Sequence, residues 1–277
     1  VKGGGNFCHA FTVADQAGWL NEKDDRSVAA WYFHRMPVHR LLPGNATYLL
    51  LMLVGLVGAT IWWSRRFRSD PRLSQIFAGA VIGAFTGAKL AYLMAEGWLH
   101  WGEPGFWMQA ANGKTILGAL LGGYAGVEGV KALVGYRLPT GDGFATVAPL
   151  GIALGRLGCV AHGCCLGVVC DAPRWFTVAD AAGVPRWPAP LAELAFNLAA
   201  FAVFVVFRRR GLWPGQHFHL YLISYGLFRF VHEFVRETPR LFGPFSGYHV
   251  LAAAVFALGL VGYRLRARSG RAQGQLR

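Results

Sequence analysis

The chain has 277 residues, of which 54% are apolar and only 15% charged, and it carries a formal net charge of +13. So apolar and charge-poor a composition excludes an ordinary soluble domain and a disordered chain. Nucleic acid is excluded as the reason for the positive charge, because the basic residues fall in short clusters split between apolar segments.

Residues 1–46 are mixed and polar, with Lys23, Asp24, Asp25 and Arg26 together. They lack the apolar core of a cleavable leader, so an extracytoplasmic extension is expected, with Trp31-Tyr32-Phe33-His34 lying at the membrane interface. Seven apolar segments follow, each long enough, or nearly so, to span a bilayer. They run Thr47–Trp63, Ser74–Ala95, Thr115–Val134, Phe144–Gly163, Pro188–Phe207, His217–Val235 and Tyr248–Tyr263. The expected fold is therefore all-α and polytopic: seven transmembrane helices over residues 47–264, then a basic tail over 265–277.

Charge sets the orientation. Arg65, Arg66, Arg68 and Arg72 follow the first span, Arg137 the third, Arg208, Arg209 and Arg210 the fifth, and Arg264, Arg266 and Arg268 the seventh. The alternate loops are poor in basic residues. Cytoplasmic loops carry the Lys/Arg excess, so the N-terminus is expected outside and the C-terminus in the cytoplasm. Glycines recur at four-residue spacing in the second span (Gly79, Gly83, Gly87) and the third (Gly118, Gly122, Gly126), a pattern that lets helices pack closely.

The fourth span ends in Gly155-Arg156-Leu157-Gly158-Cys159-Val160-Ala161-His162-Gly163-Cys164-Cys165-Leu166-Gly167. An arginine at bilayer depth is expensive and points to function. The sixth span carries a second one, Arg229, with Glu233 four residues on and hence on the same helix face. Arg156 and Arg229 against Glu233 leave net positive charge facing the bundle. Guanidinium forks match phosphate oxygens, so an anionic lipid headgroup is the expected ligand. A self-neutralising ion pair is the other reading of Arg229 and Glu233.

Around these lie residues of less certain role. His162 and His232 are the available titratable bases, or interfacial hydrogen-bonding residues. Glu193 is either a helix N-terminal charge or a member of the polar cluster. Tyr225 is a headgroup donor or a packing aromatic, and Lys114 snorkels or binds. Four of the five cysteines, Cys159, Cys164, Cys165 and Cys170, cluster at a spacing that matches neither a zinc ribbon nor a redox C-x-x-C. Packing, a disulfide or redox pair, and metal ligation all stay open for them; no metal or cofactor site is assigned.

Gly155-Arg156-Leu157-Gly158 followed by Gly163 and Gly167 resembles the signature G-R-x-G-N-F-x-N-G-E-x-x-G of bacterial prolipoprotein diacylglyceryl transferases. Tyr225-Gly226-Leu227-Phe228-Arg229, then Glu233, Phe234 and Arg236, resembles that family's Y-G-x-F-R-x-x-x-E-F-x-R. Pro188-Ala189-Pro190-Leu191-Ala192-Glu193 is similar to its P-x-Q-L-Y-E segment, and Gly83 to Tyr92 to its G-A-R-L-x-Y segment, with Lys89 at the arginine position. The resemblance covers about Thr47 to Tyr263. It implies a multi-pass enzyme of the bacterial cytoplasmic membrane that moves the diacylglyceryl group of phosphatidylglycerol to the lipobox cysteine of a prolipoprotein. It implies Arg156, Arg229 and Glu233 as catalytic, and Gly155, Gly158, Gly163, Gly167, Tyr225, Glu193 and Lys114 as substrate-binding. Several positions that bear on the chemistry depart from the pattern. Leu117 stands where the family has a histidine proposed as base, and Cys159, His162 and Cys164 replace two asparagines and a glutamate. Either His162 or His232 is then the base, with His162 the better placed, or the protein binds anionic lipid without turnover, or it works through its thiols.

Overall fold

A computed structural model describes residues 44–67 and 70–274. The extension with its Trp31-Tyr32-Phe33-His34 segment, and the last residues of the basic tail, lie outside the described residues. Eight α-helices follow in order: α1 (Gly44–Phe67), α2 (Arg72–Ala95), α3 (Phe106–Asn112), α4 (Ile116–Leu133), α5 (Gly141–His162), α6 (Ala189–Arg209), α7 (His217–His232) and α8 (Gly247–Gly274). All but the short α3 sit on the seven apolar segments. Among the described residues, five helices are long and apolar enough to cross a membrane: α2, α4, α5, α6 and α8. Four of these have 21 to 24 residues within the apolar span, about 32–36 Å at the helical rise, against a hydrocarbon core of about 30 Å. The α7 helix is shorter, with 16 residues, and continues into a 3₁₀ turn, Glu233–Val235.

The all-α expectation needs one correction. The loop before α6 contains a small antiparallel hairpin, β1 (Val178–Ala179) with β2 (Pro185–Arg186). Its strands are too short to leave a period-two signal in the sequence. The α3 helix and a 3₁₀ turn at Gly97–His100 were likewise beyond any apolar periodicity.

The chain forms two compact units: residues 44–56, 150–198 and 234–238 make one, and residues 57–149, 199–233 and 239–274 the other. In the second unit, Trp63 packs with Leu73, Ile76, Ala80 and Val127, its ring 4.8 Å from that of Phe144. Outward faces are apolar too. Ile82, Phe85 and Met94 on α2 are all more than three-fifths exposed, which suits lipid as the solvent of that face.

The glycine spacing on α2 and α4 has a concrete outcome. A Cβ on Gly83 would stand 2.3 Å from the carbonyl oxygen of Gly122, and one on Gly122 would stand 2.2 Å from that of Gly83. The pair Gly87–Gly118 is about as tight, and a Cβ on Gly126 would stand 2.1 Å from the Gly79 carbonyl oxygen. Here backbone packs on backbone, which no residue with a side chain permits. Gly129, on the same helix, has nothing within 4 Å of its would-be Cβ. Gly122→Leu is therefore expected to abolish recovery of folded protein in detergent, while Gly129→Leu is recovered at the wild-type level; equal recovery of the two would refute the packing account.

Candidate functional site

In the first unit, α5 delivers Arg156 and α6 delivers Glu193. Both are buried, Glu193 completely. Arg156 Nη2 lies 2.7 Å from Glu193 Oε2, and Arg236 Nη1 lies 3.7 Å from the same oxygen. Asn197, one turn along α6 and also fully buried, donates from its side chain to the Glu193 carbonyl at 2.8 Å. Two guanidiniums and one carboxylate sum to +1. Arg156 was expected to share Glu233 with Arg229, but it pairs with Glu193, and the cation beside it is Arg236. Arg236 stood in plain view inside the Tyr225–Arg236 motif. Its sign was legible there, its partner was not, because that partner comes from another helix.

Arg236 is held by a small backbone ladder. Gly167 N–H donates to the Trp187 carbonyl, Val168 N–H to the Val235 carbonyl, and Trp187 N–H back to Val168, at 2.9–3.0 Å. Residues 167–168 thereby run between the chain at 186–187 and the chain at 235–236. A Cβ on Gly167 would sit 2.3 Å from the Val235 oxygen, so only glycine lets these strands approach. The role of Gly167 here is to bring the backbone of Arg236 close. Beside it, Arg186 reaches Asp180 Oδ2 at 2.7 Å and Glu237 Oε2 at 2.5 Å. The hydrogen bond from Arg186 holds the Asp180 carboxyl below the usual carboxylate range.

The glycine-rich turn ends α5. Gly158 is buried, Gly155 half-buried, and Gly163 takes a left-handed φ of 70° that stops the helix. His162 is the last helical residue and is exposed. Cys159, Cys164 and Cys165 are free thiols, with their three sulfurs within 4.8 Å of one another, whereas Cys170 is disulfide-bonded.

In the second unit, Arg229 and Glu233 pair as their spacing predicts. Nη1 to Oε2 is 2.5 Å, and both residues are buried. Three residues join them that the sequence reading missed. Ser246 Oγ lies 3.3 Å from Glu233 Oε1, His249 Nδ1 accepts from the Ser246 N–H at 3.0 Å, and Arg240 Nη2 donates to the Glu233 carbonyl at 3.1 Å. No motif around Ser246 or His249 marks them; only the turn into α8 brings them to Glu233. Tyr225 is fully buried and stacks on Tyr221 at 5.7 Å, so it serves the aromatic core of α7. His232 stacks on Phe228 at 5.0 Å. Leu117 is fully buried in the first turn of α4, and Lys114, just before it, is exposed.

Each cluster holds buried guanidiniums fixed against a buried carboxylate. Known proteins resemble the chain along most of its length. The family model described as prolipoprotein diacylglyceryl transferase matches residues 45–265. A phosphatidylglycerol–prolipoprotein diacylglyceryl transferase of Geobacter sulfurreducens is 32% identical over 197 residues, covering 68% of this chain and 75% of the relative. One from Gloeobacter violaceus is 31% identical over 81% of this chain and 90% of its own length. The protein of the same description from Vibrio parahaemolyticus is 27% identical over 88% of this chain and 79% of its own.

Proposed function

The chain belongs to the prolipoprotein diacylglyceryl transferase family, and from that premise we propose the course of its reaction and the residues that carry it. It is a membrane transferase of lipoprotein biosynthesis, and its substrates are phosphatidylglycerol and a prolipoprotein. The acceptor is the thiol of a lipobox cysteine. Its sulfur attacks the glyceryl carbon that bears the phosphate ester. A carbon–sulfur bond forms, the carbon–oxygen bond breaks, the thiol proton passes to a base, and glycerol phosphate departs with the electron pair.

Negative charge grows on the departing phosphate, so fixed cations aimed at it stabilise the transition state more than the ground state. The observation that carries the assignment is the buried Arg156–Glu193–Arg236 cluster. Its carboxylate orients Arg156, and two guanidiniums converge on it. Arg229, held by Glu233 in the second unit, is assigned a catalytic role of its own. In the first unit the backbone of Gly155, Gly158, Gly163 and Gly167 is assigned to substrate binding, and in the second unit Lys114 and Tyr225 are. Arg156→Lys is expected to lower turnover at least ~10²-fold with expression unchanged, because lysine keeps the charge but loses the planar fork. Wild-type rates from that variant would make Arg156 only a counter-charge to Glu193.

The reading as a whole is tested by giving purified protein phosphatidylglycerol and a lipobox peptide. Mass spectrometry should find the diacylglyceryl thioether; its absence, with phosphatidylglycerol still bound, would favour a lipid-binding paralogue.

The orientation proposed has seven spans in the bacterial cytoplasmic membrane, the N-terminus outside and the C-terminus in the cytoplasm. The arginines after α1 and α6 support it. So does the disulfide at Cys170, which suits an oxidising compartment. A cysteine placed at exposed Ala181 is expected to react with an impermeant thiol reagent added outside, and one at Arg210 only after permeabilisation. The opposite pattern would invert the topology.

A further inference from the structure

We propose that Cys159, Cys164 and Cys165 form a binding site for one thiophilic d¹⁰ cation of the zinc group. The three sulfurs already lie within 4.8 Å of one another. Zinc–sulfur bonds of about 2.3 Å in a tetrahedral set place ligand sulfurs about 3.8 Å apart. Closing that gap needs side-chain rotation and no rearrangement of the backbone. The Cys164 and Cys165 sulfurs, 3.5 Å apart, are inside it already.

The backbone builds this convergence. Gly163 reverses the chain in the left-handed region, and the Cys164 N–H returns to the Cys159 carbonyl at 3.1 Å. That bond brings Cys164 back over the last turn of α5. Cys165 then takes φ 64°, a conformation that residues with a side chain rarely adopt. Such backbone strain persists where surrounding structure enforces it and concentrates at functional positions.

The electrostatics favour a bound ion. The carboxyl end of α5 carries partial negative charge, which attracts a cation and resists bare thiolates. Three thiolates and a divalent ion total −1, and Arg156 Nη1 lies 3.8 Å from Cys159 Sγ. Nearby Cys170 is oxidised to a disulfide, yet these three thiols are free. Soft thiolates select zinc-group and cuprous ions over magnesium or calcium. Three protein ligands with Cys165 exposed leave a fourth position for water or an exogenous soft ligand. This is the pattern of an open rather than a closed structural site.

The test uses full-length protein in detergent, handled anaerobically without reductant so that the Cys170 disulfide survives, and stripped of metal by a chelator. Titration with cadmium chloride should raise an ultraviolet sulfur-to-cadmium charge-transfer band that saturates at one equivalent, and zinc chloride should compete it away. Cys159→Ser, Cys164→Ser and Cys165→Ser should each weaken cadmium binding at least ~10²-fold, at or beyond the loss seen when only an outer-shell partner is removed. Cys165→Asn, whose side chain tolerates the left-handed region, should fold and show the same loss. A missing band while three thiols remain reactive would overturn the site. So would an unchanged titration in either Cys165 variant, or a mapped disulfide among the three in protein as isolated. None of these readouts involves diacylglyceryl transfer, so the site and the transfer chemistry stand or fall separately.

Discussion

Arg229→Ala is expected to abolish thioether formation and to cost about 3–5 kcal/mol of stability, the range for breaking a buried ion pair from one side. Glu233 is fully buried, and its Oε2 lies 2.5 Å from the guanidinium that the substitution removes. Ser246, at 3.3 Å from the other carboxylate oxygen, is a single neutral hydroxyl and cannot neutralise it. The carboxylate then loses, in low dielectric, the guanidinium that lies against it. Thermal unfolding in detergent reads the stability, and mass spectrometry of the peptide reads the transfer. The double variant Arg229→Ala/Glu233→Ala separates the two roles. It should recover much of the stability, since the carboxylate is removed too, and still form no product. Transfer by the recovered double variant would reduce Arg229 to a neutralising partner of Glu233.

His162→Ala should slow thioether formation at least ~10²-fold, the lower range of general-base assistance. Leu117 is buried where the family carries its histidine, so the proton must go elsewhere. A thiol near pKa 8.5 holds only a few per cent thiolate at neutral pH, and unassisted attack is slow. The structure adds a histidine to the contest, His249, and its hydrogen bonds argue against it. A main-chain N–H donates to His249 Nδ1, so that nitrogen is an acceptor already occupied and the neutral ring carries its proton on Nε2. Such an imidazole positions Ser246 beside Glu233; it does not stand open to take a proton. His162, at the exposed end of α5, is open to an incoming peptide. Rates measured at saturating lipid should fall in His162→Ala and hold in His249→Ala. A silent His162→Ala variant would move the base to another group.

The helices were legible because a span is a local property: about twenty apolar residues with basic flanks suffice to mark one. The Arg229–Glu233 pair was legible for the same reason, being one helical turn apart. What the sequence could not show is which distant residues share a pocket. Arg156 looked like a second cation for Glu233, but α6 offers Glu193 to it instead, and nothing in either segment announces the pairing. Gly167 could be suspected of close backbone approach, yet what it approaches, the Val235 carbonyl, depends on a ladder joining three separate stretches of chain. Ser246 and His249 gave no signal at all, since a serine and a histidine at a helix start are ordinary residues until a buried glutamate faces them.

The glycine face between α2 and α4 determines how that pair can move. Its teeth are carbonyl oxygens seated against α-carbons at intervals of one helical turn. Sliding one helix along the other by a single residue would drive side chains such as Leu121 or Ala84 into those gaps. Shear is thereby forbidden along the seam, while rotation and translation of both helices together cost it nothing. Any gate that admits a two-tailed lipid into this enzyme must carry α2 and α4 as one fixed rail, and the compliance needed for entry and exit resides in other joints of the chain.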